Sequence, residues 1–244
     1  MKILALDSSG LVASVAVVEN DTLLAEYTVN YKKTHSQTLL PMLDEISNMT
    51  ELDLSTIDAI AVAGGPGSFT GLRIGSATAK GLGLALEKPL ISIPTTAAIA
   101  YNIWDTDKFV CPIMDARRNQ VYTGVYCYTD HRLDTVWEQD TMSIEALAEG
   151  LNCLDHEVIF LGDGVAVYRE KLEALLTIPF SFAPAHVNRQ RAAAVGALAE
   201  VYYKEGKIQT AEEHEPEYLR KSQAERERAE RESVKLSLIH ISEP

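Results

Sequence analysis

The stretch Gly64-Gly65-Pro66-Gly67-Ser68-Phe69-Thr70-Gly71-Leu72-Arg73-Ile74-Gly75 lies between an apolar run at 57–63 and a helical pattern over 70–86. A strand, a glycine-rich turn and a helix in this order are typical of an α/β fold. Such a turn can bring backbone N–H groups to an anion at the helix N-terminus. The Walker ending and the Gly-x-Gly-x-x-Gly spacing are both missing. The stretch therefore permits a phosphate-binding loop, but the missing patterns favour a purely structural turn and helix start.

The order of elements around this stretch repeats once along the chain. Hydrophobic periodicity and turn residues predict strands at 3–7, 12–18, 22–29, 57–63 and 89–93, and helices at 35–49, 70–86 and 94–104. In the second half they predict strands at 109–114, 120–128, 133–138, 157–161 and 178–182, and helices at 143–150, 164–176 and 190–204. Each half reads βββαβαβα, which predicts an α/β protein of two ribonuclease-H-like lobes, 1–105 and 106–221. Residues 222–244 form a charged tail, predicted to be disordered or foreign to the domain.

The charge of the chain limits its partners. Among 244 residues, 22 basic and 35 acidic side chains give a formal charge of −13. Such a surface repels a phosphate backbone, so autonomous nucleic-acid binding is disfavoured and a more basic protein partner is plausible. Three widely spaced cysteines, without a secretory leader or a long apolar run, predict a reducing, cytoplasmic location and no membrane contact.

The helix predicted after the glycine-rich stretch carries small residues at steps of four. Gly71, Gly75, Ala79 and Gly83 fall on one face. Each glycine inside a helix costs about 1 kcal/mol relative to alanine, so several of them suggest that another element approaches closely. That element is either the chain's own sheet or a helix of another subunit.

Several motifs, in order over roughly residues 1–221, resemble those of the TsaB (YeaZ) family. They are Ile3-Leu-Ala-Leu-Asp7-Ser8-Ser9, His35-Ser36-Gln37 before Leu39-Leu40-Pro41-Met42, the stretch 65–75, Ile113-Met114-Asp115-Ala116-Arg117 with Val121-Tyr122, and Pro216-Glu217-Tyr218-Leu219-Arg220. The resemblance implies the two-lobed fold of the actin, sugar-kinase and Hsp70 group. It also implies a scaffold role, without catalytic residues of its own, in making N6-threonylcarbamoyladenosine at tRNA position 37.

The resemblance further implies partners and a pairing surface. The family pairs with its catalytic paralogue TsaD, works with the ATPase TsaE, forms homodimers when alone, and meets tRNA only through the complex. Pairing would use the helices at 35–49 and 70–86, which favours the subunit interpretation of the small-residue stripe. The interface residues expected on this basis are His35, Leu39, Met42, Gly71, Arg73, Gly75 and Ala79. Leucine at position 75 is then expected to block pairing and leave the fold intact.

Metal and nucleotide sites follow less directly from the sequence. The catalytic paralogue holds a metal with a His-x-x-x-His pair, whereas the corresponding segment 89–99 has no histidine, so no metal site is expected. The strand ends and turns could contact a nucleotide or anion through Asp7, Ser8, Ser9, Asp115, Arg117 and Gly162. No tightly bound cofactor is expected, although ATP or ADP could be shared with the complex. The alternatives are an ATPase or a glycoprotease-like metallopeptidase of the same fold, and a direct tRNA-binding module.

Overall fold

The computed structural model describes residues 1–31 and 35–219, and the tail predicted at 222–244 lies outside them. The strands are β1 Lys2–Asp7, β2 Val12–Glu19, β3 Thr22–Asn30, β4 Ala59–Gly65, β5 Leu90–Pro94, β6 Phe109–Asp115, β7 Gln120–Thr129, β8 Arg132–Ser143, β9 Val158–Leu161 and β10 Phe180–Phe182. The helices are α1 Leu39–Thr50, α2 Phe69–Leu86, α3 Thr95–Ala100, α4 Ile144–Leu154, α5 Gly164–Leu175 and α6 Ala192–Lys204. The predicted order βββαβαβα is thus confirmed in both halves.

The two sheets have the same topology. Their strand orders are β3-β2-β1-β4-β5 and β8-β7-β6-β9-β10. In each sheet the first three strands form an antiparallel meander, and the last two run parallel to the first strand. Residues 3–6 of β1 are buried on both faces, as a central strand with parallel and antiparallel neighbours requires.

The helices and sheets stack in five layers. Helices α1 and α2 cover the outer face of the first sheet, and α4 and α5 cover the outer face of the second. Helices α3 and α6 lie between the two sheets in a core to which both sheets contribute. A methyl group placed on Gly196 of α6 would lie only 2.8 Å from Val18 Cγ2 and 3.2 Å from Ala5 Cβ.

This layering corrects the predicted division into lobes. The boundary near 105 separates the strands of the two sheets, but α6, assigned to 106–221, packs on the first sheet. The ion pair between Arg191 and Glu26, in which the guanidinium donates to both carboxylate oxygens, fixes the start of α6 to β3. The two lobes are therefore interlocked and share one hydrophobic core.

A few element boundaries differ from the predictions. The helix expected at 94–104 ends at Ala100, because residues after it form turns and Asn102 Nδ2 donates to the Arg189 carbonyl at 2.9 Å. Strand β8 continues to Ser143 rather than ending at 138, and Ser143 Oγ then accepts from Ala146 N at 3.2 Å to begin α4. Within the described residues, every helix is too short or too polar to cross a bilayer.

Candidate functional site

The glycine-rich loop folds onto the chain's own backbone. Ser68 N donates to Ser9 O at 2.6 Å, and Gly65 N donates to Thr95 Oγ1 at 3.2 Å. A Cβ on Gly67 would lie 2.4 Å from Ser9 O, so the glycine is needed for this approach. Two N–H groups of the loop, those of Gly65 and Ser68, are thus engaged internally, which favours the structural-turn interpretation.

The small-residue stripe of α2 faces the first sheet. A Cβ on Gly71 would lie 2.1 Å from Ser8 O, and one on Gly75 would lie 2.5 Å from Ser8 Oγ. A Cβ on Gly83 would lie 2.4 Å from Leu90 Cδ1, and Ala79 is fully buried. The prediction that Gly71, Gly75 and Ala79 form a subunit interface is therefore wrong, because no partner can reach this face of the helix.

The inner position of α1 corrects two further interface predictions. Leu39 and Met42 are buried in the core between α1 and the first sheet. Apolar residues three positions apart lie on the same face of a helix, and such a face usually packs against the protein's own core. His35 precedes α1 in a single 3₁₀ turn, is half-buried, and its Nε2 lies 2.8 Å from the Gly10 carbonyl. Of the predicted interface residues, only Arg73 is exposed, with its guanidinium 4.6 Å above the Phe69 ring.

The opposite face of α2 is exposed. It carries Arg73 together with the small or apolar residues Ala77, Gly81 and Leu84. A Cβ on Gly81 would meet no atom within 4 Å, so nothing in the described chain requires glycine there. Leu84 is 63% exposed at the end of the same face. This outward surface of α2, together with the exposed Leu40 and Met49 of α1, is called the α1–α2 outer surface below.

Replacing Gly81 with alanine should stabilise the isolated chain by about 1 kcal/mol, because the glycine lies inside a helix and the added methyl group meets open space. Urea unfolding of the two proteins measures the difference. Gly83→Ala is the matched control on the same helix, since its methyl group would press on Leu90 Cδ1. Equal effects of the two substitutions would contradict the assigned faces.

A buried polar cluster lies where the loop after β1 meets the second half of the chain. A Cβ on Gly10 would lie 2.5 Å from Gln190 Nε2 and 3.4 Å from Asp163 Oδ2. Asp7 is fully buried, and its Oδ1 accepts from Ser9 N at 2.9 Å and Ser9 Oγ at 2.7 Å. Within residues 1–31 and 35–219, Asp7 Oδ2, His35 Nδ1 and both amide atoms of Gln190 have no hydrogen-bond partner.

Burial dominates the electrostatics of this cluster. It raises the pKa of the Asp7 carboxyl from 3.8 to about 6, against the opposing effect of the Ser9 hydrogen bonds and His35. Burial also raises the pKa of Asp163, with nearby Asp115 adding to the rise. A phosphate placed here would face three carboxyl groups, which disfavours anion binding.

The remaining candidate anion contacts are used within the fold. Ser8 Oγ donates to Gly71 O at 2.8 Å. Asp115 Oδ1 accepts from Arg117 N at 2.8 Å, and Gly162 O accepts from Arg189 Nη1 at 2.7 Å. Asp163 Oδ1 accepts from Asp115 N at 3.1 Å. Asp163 thus links the candidate anion contacts in the second half of the chain to the buried cluster after β1. Arg117 is exposed at the tip of the β6–β7 hairpin. Gln190 fills the junction between the loop after β1 and the second half of the chain, and no sequence motif predicts this role.

Comparison with known proteins gives consistent matches over most of the chain. The family model described as TsaD, tRNA N6-adenosine threonylcarbamoyltransferase, matches residues 22–228. The tRNA threonylcarbamoyladenosine biosynthesis protein TsaB of Bacillus subtilis is 32% identical over 225 residues, which cover 92% of this chain and 96% of the relative. The solved structure of YeaZ from Pseudomonas aeruginosa has a TM-score of 0.77 at 28% identity, covering 89% of this chain and 99% of that one.

A more distant structure bears on the fold alone. The inorganic polyphosphate/ATP-glucomannokinase from Arthrobacter has a TM-score of 0.50 at 16% identity, covering 83% of this chain and 99% of the kinase. The two-sheet architecture is thus shared with a sugar kinase, in agreement with the fold that the family resemblance implies.

Proposed function

The chain belongs to the TsaB (YeaZ) family, and we propose that it is the non-catalytic scaffold subunit of the bacterial system that makes N6-threonylcarbamoyladenosine at position 37 of tRNA. Its relatives carry the name of that biosynthesis. In this proposal the catalytic subunit TsaD transfers the threonylcarbamoyl group from an adenylate to the adenosine. This chain holds TsaD in its active arrangement, and TsaE acts on the pair.

The observation that carries the pairing proposal is the open space at Gly81. A glycine inside a helix costs about 1 kcal/mol, and close packing within the chain accounts for Gly71, Gly75 and Gly83 but not for Gly81. Small residues at positions 77 and 81 would let a partner helix approach the α2 backbone, with Leu84 and Leu40 adding apolar area. We therefore move the proposed interface from the inner face of α2 to the α1–α2 outer surface. A homodimer of the free chain would use the same surface.

The chain's own residues fill the junction between the two halves, which favours a scaffold over an ATPase. Helices α3 and α6 join both sheets into one core. Gln190 occupies the junction against Gly10, and the loop amides of Ser68 and Gly65 are bonded internally. An ATPase or metallopeptidase of the same fold is the alternative, and hydrolysis of ATP or of a peptide by the isolated chain would support it.

Other parts of the proposal concern nucleotide, tRNA and location. The isolated chain would hold no nucleotide tightly, and ATP or ADP would be shared with the complex. With a charge of −13 the chain would meet tRNA only through its partners. Because the substrate tRNA is cytoplasmic, we place the protein in the cytoplasm.

Reconstitution with purified components tests the proposed role. TsaD, TsaE, threonylcarbamoyl adenylate, ATP and unmodified tRNA are mixed with or without this chain, and the modified nucleoside is quantified by mass spectrometry. The scaffold role predicts product only when both TsaD and this chain are present, and none with this chain and no TsaD. Undiminished product without this chain, or ATP hydrolysis by the chain alone, would contradict it.

A further inference from the structure

Three aromatic rings form a partly open platform beside the connection between α3 and β6. The Trp104 ring lies 5.5 Å from the Tyr101 ring and 5.4 Å from the Tyr128 ring, centroid to centroid, and meets both at steep angles. Trp104 nevertheless remains 57% exposed. Tyr101 packs against the core between the two sheets, which holds this ring of the platform in place. A large ring fixed in orientation and open to solvent offers a ready binding surface.

Carboxylates surround the platform. Asp105 follows Trp104 directly, and its Oδ2 lies 2.6 Å from His131 Nδ1 at the tip of the β7–β8 hairpin. Burial raises the pKa of the Tyr128 phenol, with Asp105 adding to the rise. Burial likewise raises the pKa of Tyr101, with Asp21 and Glu200 contributing. The platform is therefore electronegative from both the ring faces and the neighbouring carboxylates.

We propose that the Tyr101–Trp104–Tyr128 platform binds an arginine side chain presented by a protein partner. A guanidinium is planar and stacks on aromatic faces, and its N–H groups can reach a carboxylate such as Asp105 at the same time. The charge of −13 over the whole chain also attracts a basic segment of a partner, which adds to the local attraction at the platform. This surface is distinct from the α1–α2 outer surface, so it offers a second contact in an assembly.

Other features of the platform agree with a guanidinium ligand. Lys108, the basic side chain nearest in sequence to Trp104, is paired with Glu157. Near Tyr128, Arg132 is paired with Glu205 and His131 with Asp105. No cation among these residues therefore neutralises the exposed Trp104 face.

Isothermal titration of the full-length chain with a hexa-arginine peptide tests this site. Trp104→Leu keeps every charge, so it removes the ring and leaves general electrostatic attraction unchanged. We expect its dissociation constant to rise about tenfold, while Trp104→Phe, which keeps an aromatic face, stays within about threefold of the original. Val167→Ala, at an exposed apolar residue of α5, is the control and should change nothing.

Two results would overturn the proposal. Unchanged hexa-arginine affinity in Trp104→Leu would show that only net charge attracts the peptide. Equal losses in Trp104→Leu and Trp104→Phe would show that the aromatic face is not what binds. Circular dichroism of each variant verifies the fold, and Trp104 is sufficiently exposed that both should stay folded.

Discussion

Replacing Asp7 with asparagine should raise the free energy of unfolding at pH 7.5 by up to about 3 kcal/mol. The carboxyl is fully buried and its pKa is raised from 3.8 to about 6. Between these values the folded chain keeps a proton that the unfolded chain releases, so stability falls as the pH rises through about 4 to 6 and stays low above that window. Asparagine is neutral throughout, and its Oδ1 can still accept both Ser9 hydrogen bonds.

Urea unfolding at pH 4, 5, 6 and 7.5 measures this effect. The original chain should lose stability across the series, and Asp7→Asn should lose markedly less, so the two curves separate above pH 5. Asp134→Asn is the control, because it makes the same change at an exposed position of β8. Parallel curves for Asp7→Asn and the original chain would show that the carboxylate is satisfied in the folded state.

Replacing Gly75 with leucine should destabilise the fold by at least about 3 kcal/mol. The first added carbon would already lie 2.5 Å from Ser8 Oγ, which is itself bonded to Gly71 O, and Val62 Cγ2 is next at 3.5 Å. Leucine at this position therefore forces α2 away from β1 and β4, in contrast to the expectation from sequence that only pairing would be lost.

The same substitution at Gly81 provides the comparison. Gly81→Leu adds the same side chain to the same helix but projects it into open space, so its stability should stay within about 1 kcal/mol of the original. Thermal unfolding of both variants distinguishes the two faces. A Gly75→Leu variant as stable as Gly81→Leu would mean that the inner face has room for a larger side chain.

The fold was largely predictable because its signals are local. Apolar strands, turn residues and helical periodicity repeat in the same order in both halves, so the sequence predicts two similar sheets. The crossing of α6 to the first sheet was not predictable, since helical periodicity indicates a buried face but not which sheet covers it. Gly196 and its contact with Val18 become meaningful only when the sheets are placed side by side.

The candidate site shows the same limit. Helical spacing correctly groups Gly71, Gly75, Ala79 and Gly83 on one face, yet a small residue fits equally well against a sheet or a partner helix. For Leu39 and Met42, the usual rule that periodic apolar residues face the core would have given the right answer. Gly81 lies outside the stripe of four, and only its empty surroundings distinguish it. The approach of Gln190 to Gly10 joins residues far apart in sequence, which no local pattern reveals.

The affinity of TsaD for this chain, measured by titration with Gly81→Leu, tests the central claim most directly. If TsaD packs on the α1–α2 outer surface, the leucine blocks the close approach of its helix, and affinity should fall at least about thirtyfold. Ala146→Leu, on the exposed face of α4, is the matched control and should bind like the original chain. Unchanged affinity in a folded Gly81→Leu variant would contradict pairing through this surface.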